Sequence, residues 1–131
     1  KQQNIVNVNL FNIALSNKEE DSFIHTNNDG DASLAGIRDE KFNQMFPCHL
    51  KKLDSYQFNK LDFIKIDVEG SEWQMIDGAI KTITLHRPVI ILETFKNKKN
   101  KHMLEQFCSN FSYTSKYISA DNWLLQPQAL N

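Results

Sequence analysis

The chain has 131 residues, of which 40% are hydrophobic and 11% aromatic, and its formal net charge is −1 at pH 7. That length suits one domain with room for a core, and the near-neutral balance gives no global field that calls for nucleic acid or an anionic membrane. No apolar run approaches the ~18 residues that a bilayer-spanning helix needs, so no membrane partner is expected.

The opening KQQNIVNVNL lacks the continuous apolar stretch of a secretion signal. The two cysteines, Cys48 and Cys108, are far apart and have no metal-type spacing. They read as free, buried thiols in a reducing compartment, and a cytoplasmic location is expected. His25, His49, His86 and His102 share no motif and no i, i+4 pairing, so no metal site is expected from them. Asn and Lys are abundant and Arg is nearly absent, which lowers the weight of any one lysine-rich stretch.

In chain order, Ile5, Val6, Val8, Leu10 and Phe11 alternate with asparagines, which predicts a strand over residues 5–13. A turn follows at ALSNKEED, then a short antiparallel strand over residues 22–26. Residues 27–36 are polar and glycine-containing, as a loop is. Residues 37–46 have no clear period. Residues 48–53, CHLKKL, read as a second short strand, and Asp54 to Phe58 as a connection or single helical turn.

Residues 61–78, LDFIKIDVEGSEWQMIDG, organise the rest. Phe63, Ile64, Ile66 and Val68 suit a buried strand. Asp67 closes it, Gly70 permits a sharp turn, and Ser71 can cap a helix whose apolar positions run Trp73, Ile76, Ala79, Ile80 and Ile83. The carboxyl end of such a strand is where open α/β sheets place ligands. Pro88 then leads the continuous apolar run Val89 to Leu92, a buried strand ending in Glu93. Met103, Leu104, Phe107 and Cys108 mark one face of a helix over residues 101–110. Residues 113–118 and 123–126 read as a hairpin. No internal repeat or linker divides the chain, so residues 1–131 read as a single domain.

DFIKIDVEGSEWQMIDGAIKTI, followed by RPVIILE, closely resembles the core signature of the FkbM family of S-adenosylmethionine-dependent methyltransferases. The resemblance rests on Asp62, Lys65, Asp67, Glu69, Gly70, Glu72, Gly78, Ala79, Pro88 and Glu93. The upstream NIALSNKEED, DGDASLAG and KKLDSY segments are similar to the family's, in the family's order. It implies an α/β fold with a Rossmann-like methyltransferase sheet, mostly parallel and ending in an antiparallel hairpin. The glycine-rich loop and ribose-binding acid of the first two strands are missing, since Gly30, Gly36, Gly70 and Gly78 are too scattered for GxGxxG. The chain therefore reads as the C-terminal part of a methyltransferase domain. Two sheet edges would lie open, so a missing N-terminal segment or a homo-oligomer is expected to complete the sheet.

By the same resemblance, the turn Ala14-Leu15-Ser16 lies beside the adenine of S-adenosylmethionine, where an ordinary turn is the other reading. Asp67 and Glu69 stand where methyl donor and acceptor meet. A carboxylate there can take the acceptor's proton, bind the cofactor or hold a divalent ion. It can equally satisfy the N–H groups of the following helix. Glu93 ends the next strand at the same rim, where packing alone does not explain an acid. Glu72 reads as compensating the helix dipole ahead of any chemical role. Lys65 reads as pairing with a carboxylate such as Asp62, or reaching the rim. Asp31 and Ser33 either meet the acceptor or lie in a solvated loop. Lys96 to Lys101, KNKKNK, reads as a solvated loop in preference to a phosphate patch, because no aromatics interleave with it. Trp73 and Trp123 read as packing residues.

The expected function is transfer of a methyl group from S-adenosylmethionine to a hydroxyl of a sugar or other small polar metabolite, with Asp67, Glu69 and Glu93 as the catalytic candidates. Two alternatives remain open at this point. One is a non-catalytic binding or assembly module on the same sheet. The other is a metal-dependent hydrolase using the three acids.

Overall fold

The computed structural model describes residues 6–26, 32–34 and 43–130, the short stretch 32–34 by its backbone alone. Among these residues, eight strands and three α-helices follow in the order β1 (Ala14–Leu15), β2 (Glu20–Thr26), β3 (Ala32–Leu34), β4 (Gln44–Lys51), β5 (Phe63–Ile66), α1 (Glu72–Asp77), α2 (Ile80–His86), β6 (Val89–Glu93), α3 (Lys98–Phe111), β7 (Tyr113–Ser119) and β8 (Asn122–Pro127). A single 3-10 turn, Leu53–Ser55, links β4 to the second half.

The strands form two four-stranded sheets, ordered β1-β4-β2-β3 and β5-β6-β8-β7. This is an α/β fold, but the described residues do not form one mostly parallel sheet. In the first sheet only β1 and β4 are parallel, and in the second only β5 and β6. The outer edges of β1 and β5 meet no strand among the described residues, so no strand pairing joins the two sheets there.

The strand expected over residues 5–13 is a correction. Ile5 lies outside the described residues, residues 6–13 form no strand, and pairing is confined to Ala14–Leu15. Val6 and Leu10 are 93% and 92% exposed. Apolar alternation fits a pleat, but a strand also needs a neighbour for its N–H and C=O groups, and no strand among the described residues pairs with residues 6–13. The expected loop over residues 27–36 contains β3, which pairs antiparallel with β2 at Ser33 and His25. Asp31 and the Ser33 side chain lie outside the described residues. β4 begins at Gln44, four residues earlier than expected.

The core is built on β5, β6 and β8. Ile66, Ile90, Leu92 and Leu125 are wholly buried, with Ile83 of α2 and Pro88. In β6 only Ile90 and Leu92 are buried, while Val89, Ile91 and Glu93 are half-buried, so one face of this strand is sealed and the other is not. Met75, Ile76 and Ala79 pack into the same cluster, as do Leu104 and Phe107 of α3. The helix expected from Trp73 to Ile83 is broken at Gly78 and Ala79, where the Ala79 N–H bonds to the Ile76 carbonyl. Ser71 occupies the N-cap position of α1 without a side-chain cap bond. The break leaves α2 without a local cap, and Asp54 supplies one from the 3-10 turn. Its carboxylate accepts from Lys81 N–H at 3.1 Å and Thr82 N–H at 2.8 Å.

Arg87 ends α2 in the left-handed region, at φ 49°. Its guanidinium donates to the carbonyls of Phe111, Ser112 and Gln128, tying the end of α2 to both ends of the terminal hairpin. The hairpin turns at Ala120 and Asp121, both at positive φ, as a two-residue mirror-image turn requires. Both cysteines are free and half-buried. Burial raises both thiol pKa values, foremost among the causes. No helix among the described residues is long and apolar enough to cross a membrane.

Candidate functional site

β5 is short because its next residues turn away. Val68 to Ser71 form a tight turn, closed by the Ser71 N–H to the Val68 carbonyl at 3.3 Å. Its two central residues, Glu69 at φ 47° and Gly70 at φ 94°, both lie in the left-handed region. That conformation is free for Gly70 and strained for Glu69. Glu72, only 6% exposed, holds the turn, since its Oε1 accepts the Gly70 N–H at 2.7 Å. Its role is therefore to fix the turn that aims Asp67 and Glu69, a more specific one than dipole compensation.

Asp67, Glu69, Glu72 and Glu93 come together, with Asp121 from the hairpin turn, around a small cleft of about 30 Å³ at the carboxyl ends of β5 and β6. The cation at this rim is Lys65. Its Nζ lies 3.1 Å from Glu93 Oε2 and 3.8 Å from Asp67 Oδ2. Asp62 pairs with Lys60 instead, at 3.1 Å, because alternate strand positions put Lys65 on the side of Asp67 and Glu93. Both ion pairs of Lys65 are part-exposed and contribute at most about 1 kcal/mol each. They orient Asp67 and Glu93 more than they stabilise the fold.

Asp67 and Glu69 also border a second, much larger cleft of about 720 Å³. Ala14 and Leu15 line it, with Tyr56, Gln57 and Phe58 from the segment after the 3-10 turn. The Phe11 ring meets Tyr56 edge-on at 5.3 Å between centroids. Ser16 does not line this cleft. It is 5% exposed, and its N–H bonds to the Lys51 carbonyl at 2.8 Å. Sequence reasoning missed Tyr56 and Phe58, whose alternation in YQF was the available signal.

A third cleft, of about 520 Å³, opens where β6 leads into α3. Lys96, Lys98 and Lys101 line it with Phe95, Trp123 and Thr94. Asn97 caps α3 by accepting the Asn100 N–H at 2.8 Å. Asn100 also accepts from Trp73 Nε1 at 3.1 Å and donates to the Phe95 carbonyl at 2.9 Å, which fixes this wall against α1. Trp73 thus has a polar tether as well as a packing role, and Trp123 is a wall of the cleft. Thr94 borders both this cleft and the acidic one.

Among the described residues, no three His, Cys, Asp or Glu side chains converge closely enough to hold a metal ion. The carboxylates at the rim share a cleft without forming a coordination sphere.

A family profile described as the methyltransferase FkbM domain matches residues 2–115. The chain belongs to this family. A solved structure, the crystal structure of methyltransferase FkbM from Methylobacillus flagellatus KT, superposes with a TM-score of 0.50 at 21% identity. The match covers 60% of this chain and 23% of that chain, so the matched part spans less than a quarter of the length of the structure it resembles. At that identity the likeness concerns the fold. No curated protein matches the chain. Of the ten positions that carry the resemblance, the structure brings six together. Asp67, Glu69, Glu72 and Glu93 form one rim, Lys65 pairs across it, and Gly70 turns the chain beneath it.

Proposed function

We propose that this chain carries the acceptor side and part of the cofactor side of an S-adenosylmethionine-dependent methyltransferase site. The acceptor is a hydroxyl of a sugar or other small polar metabolite. The observation that carries the reading is that Asp67 and Glu69 border two clefts at once, one large and mostly apolar, the other small and acidic.

The large cleft fits the cofactor in size and chemistry. Its volume of about 720 Å³ falls within the usual range for small-molecule sites. Tyr56 and Phe58 offer aromatic surface for a purine, and Ala14 and Leu15 form an apolar wall. Asp67 and Gln57 supply polar contacts. Bound there, S-adenosylmethionine supplies an electrophilic methyl group. Asp67 stands between the two clefts and accepts the proton of the acceptor hydroxyl, Glu93 orients that hydroxyl, and Lys65 holds both carboxylates in place. Glu72 keeps the turn rigid beneath them.

We read the strand order β5-β6-β8-β7, in which only β8 runs against its neighbours, as one half of a Rossmann-like sheet. The free edges of β1 and β5 are where intervening strands complete a Rossmann-like sheet, either from a preceding segment or from a second copy. Among the described residues no three potential metal ligands converge, which lends no support to the metal-dependent hydrolase.

Titration of the isotope-labelled chain with S-adenosylmethionine, followed by amide chemical shifts, tests this. Perturbation centred on Ala14, Leu15, Tyr56 and Asp67 is expected, at weak affinity while the sheet is incomplete. No perturbation, or one centred elsewhere, overturns the cofactor assignment.

A further inference from the structure

We infer that the lysine-lined cleft at the start of α3 binds the phosphate of a phosphorylated, hydroxyl-bearing metabolite. This rests on the methyltransferase reading for its role, because the same molecule would present its hydroxyl to the acidic cleft next door.

The key observation is the Thr94 hydroxyl. Thr94 is 4% exposed, and its Oγ1 has no hydrogen-bond partner. A buried hydroxyl left unpaired is destabilising and calls for an explanation. This one belongs to the residue that borders both clefts. On one side stand Lys96, Lys98 and Lys101 with no carboxylate among the lining residues. On the other stand five carboxylates against the one cation Lys65, which pairs with Asp67 and Glu93, so the acidic side keeps an excess of negative charge. Two adjoining clefts of opposite charge fit a ligand with an anion at one end and hydrogen-bond donors at the other.

The basic side has what a phosphate needs. α3 is a 14-residue helix whose first turn opens into the cleft, so its N–H groups and dipole favour an anion there. Asn97 occupies only the Asn100 N–H, leaving others in the first turn. Lys98 is exposed, and Lys101 has only a loose pairing with Glu105 at 3.9 Å. Lys96 lies 3.5 Å over the Tyr117 ring, which holds its ammonium beside the cleft. The volume of about 520 Å³ admits a sugar phosphate, and Trp123 and Phe95 give its ring apolar surface. Carboxylates accept hydrogen bonds and cannot donate them, so the free hydroxyls of the ligand face the acidic side.

Calorimetric titration with glucose, glucose 6-phosphate and inorganic phosphate tests the inference without any methyl donor. Glucose 6-phosphate is expected to bind, inorganic phosphate more weakly, and glucose not detectably. The double variant Lys98→Ala, Lys101→Ala should weaken the ester by about tenfold or more, as loss of charged hydrogen bonds does. Thr94→Val should also weaken it while leaving the thermal midpoint unchanged or raised, since it removes an unpartnered buried hydroxyl. A merely structural threonine would not separate those two readouts. Glucose binding as well as its phosphate, no binding of the ester, or ester binding indifferent to Thr94→Val and to the lysine pair would each overturn the inference. So would a single-stranded oligonucleotide outcompeting the ester at the same lysines. Ester binding without any S-adenosylmethionine response would leave the anion site standing and remove the methyltransferase reading alone.

Discussion

Gly78 lies against the backbone of Ser16, and a Cβ at position 78 would stand 2.0 Å from the Ser16 carbonyl oxygen. Its φ of −77° suits any residue, so the requirement is for space. The contact fastens the end of α1 to the turn after β1, and Asn17 Nδ2 adds a bond to Asp77 Oδ2 at 2.8 Å beside it. This is how the wall formed by Ala14 and Leu15 is held near Asp67. Gly78→Ala forces backbone against backbone and is expected to destabilise by about 2–3 kcal/mol, at the upper end for overpacking. Chemical denaturation checks it, and an unchanged midpoint would mean that the two segments part easily.

Asp54 caps a helix to which it is not adjacent in sequence. Both its carboxylate oxygens accept N–H groups of the first turn of α2. Asp54→Ala should cost about 1–2 kcal/mol, the usual loss for an N-cap carboxylate. Asp54→Asn should recover part of that, as it keeps one acceptor. Equal losses in both variants, measured by urea denaturation, would point to the charge alone.

β5, β6, α3 and the hairpin were legible in the sequence because each carries its own signal, whether an apolar run, a helical face or a pair of strands around a short turn. Residues 6–13 carry the same kind of signal and form no strand, because alternation describes one strand and says nothing of its neighbour. The break between α1 and α2 was hidden, since its cause is the space beneath Gly78 and not a local helix breaker. The acidic rim was legible because Asp67 and Glu93 sit at strand ends, with Glu69 and Glu72 in the turn and helix start that follow the first of them. The lysine cleft was not. Its aromatic walls, Phe95 and Trp123, come from separate elements, so lysines 96, 98 and 101 looked like a solvated run.

Tyr113 gives the fold an alkaline limit. It is 3% exposed and its hydroxyl donates to the Pro88 carbonyl at 2.9 Å. Burial raises its pKa above 10.0, although the Arg87 guanidinium 5.5 Å from its ring works in the other direction. A phenol harder to ionise in the folded chain stabilises it fully below the unfolded pKa. That stability is lost as pH rises through the folded one. The denaturation midpoint should therefore fall steeply above about pH 10, where an unfolded tyrosine ionises. Tyr113→Phe should flatten that limb while costing about 1 kcal/mol at neutral pH through the lost hydrogen bond. An identical alkaline limb in the variant would place its cause elsewhere.

Asp67 and Glu72 separate chemistry from architecture. Asp67 is half-exposed between the two clefts, and its bond to Lys65 is long. Asp67→Asn keeps the shape and removes the charge. With the sheet completed, methyl transfer should fall by roughly 10²-fold or more, the usual contribution of a positioned base, while stability changes by less than about 0.5 kcal/mol, as for other exposed positions. Glu72 is buried and bonded to the turn that carries Glu69. Glu72→Gln keeps an acceptor for the Gly70 N–H but weakens that bond and removes the first-turn charge. A loss of about 1–2 kcal/mol is expected, with a smaller fall in turnover that follows the loosened turn. Radiolabelled methyl transfer and thermal denaturation on both variants decide the matter. Full turnover with lowered stability in Asp67→Asn would make that carboxylate a helix cap and hand the proton-accepting role to Glu93.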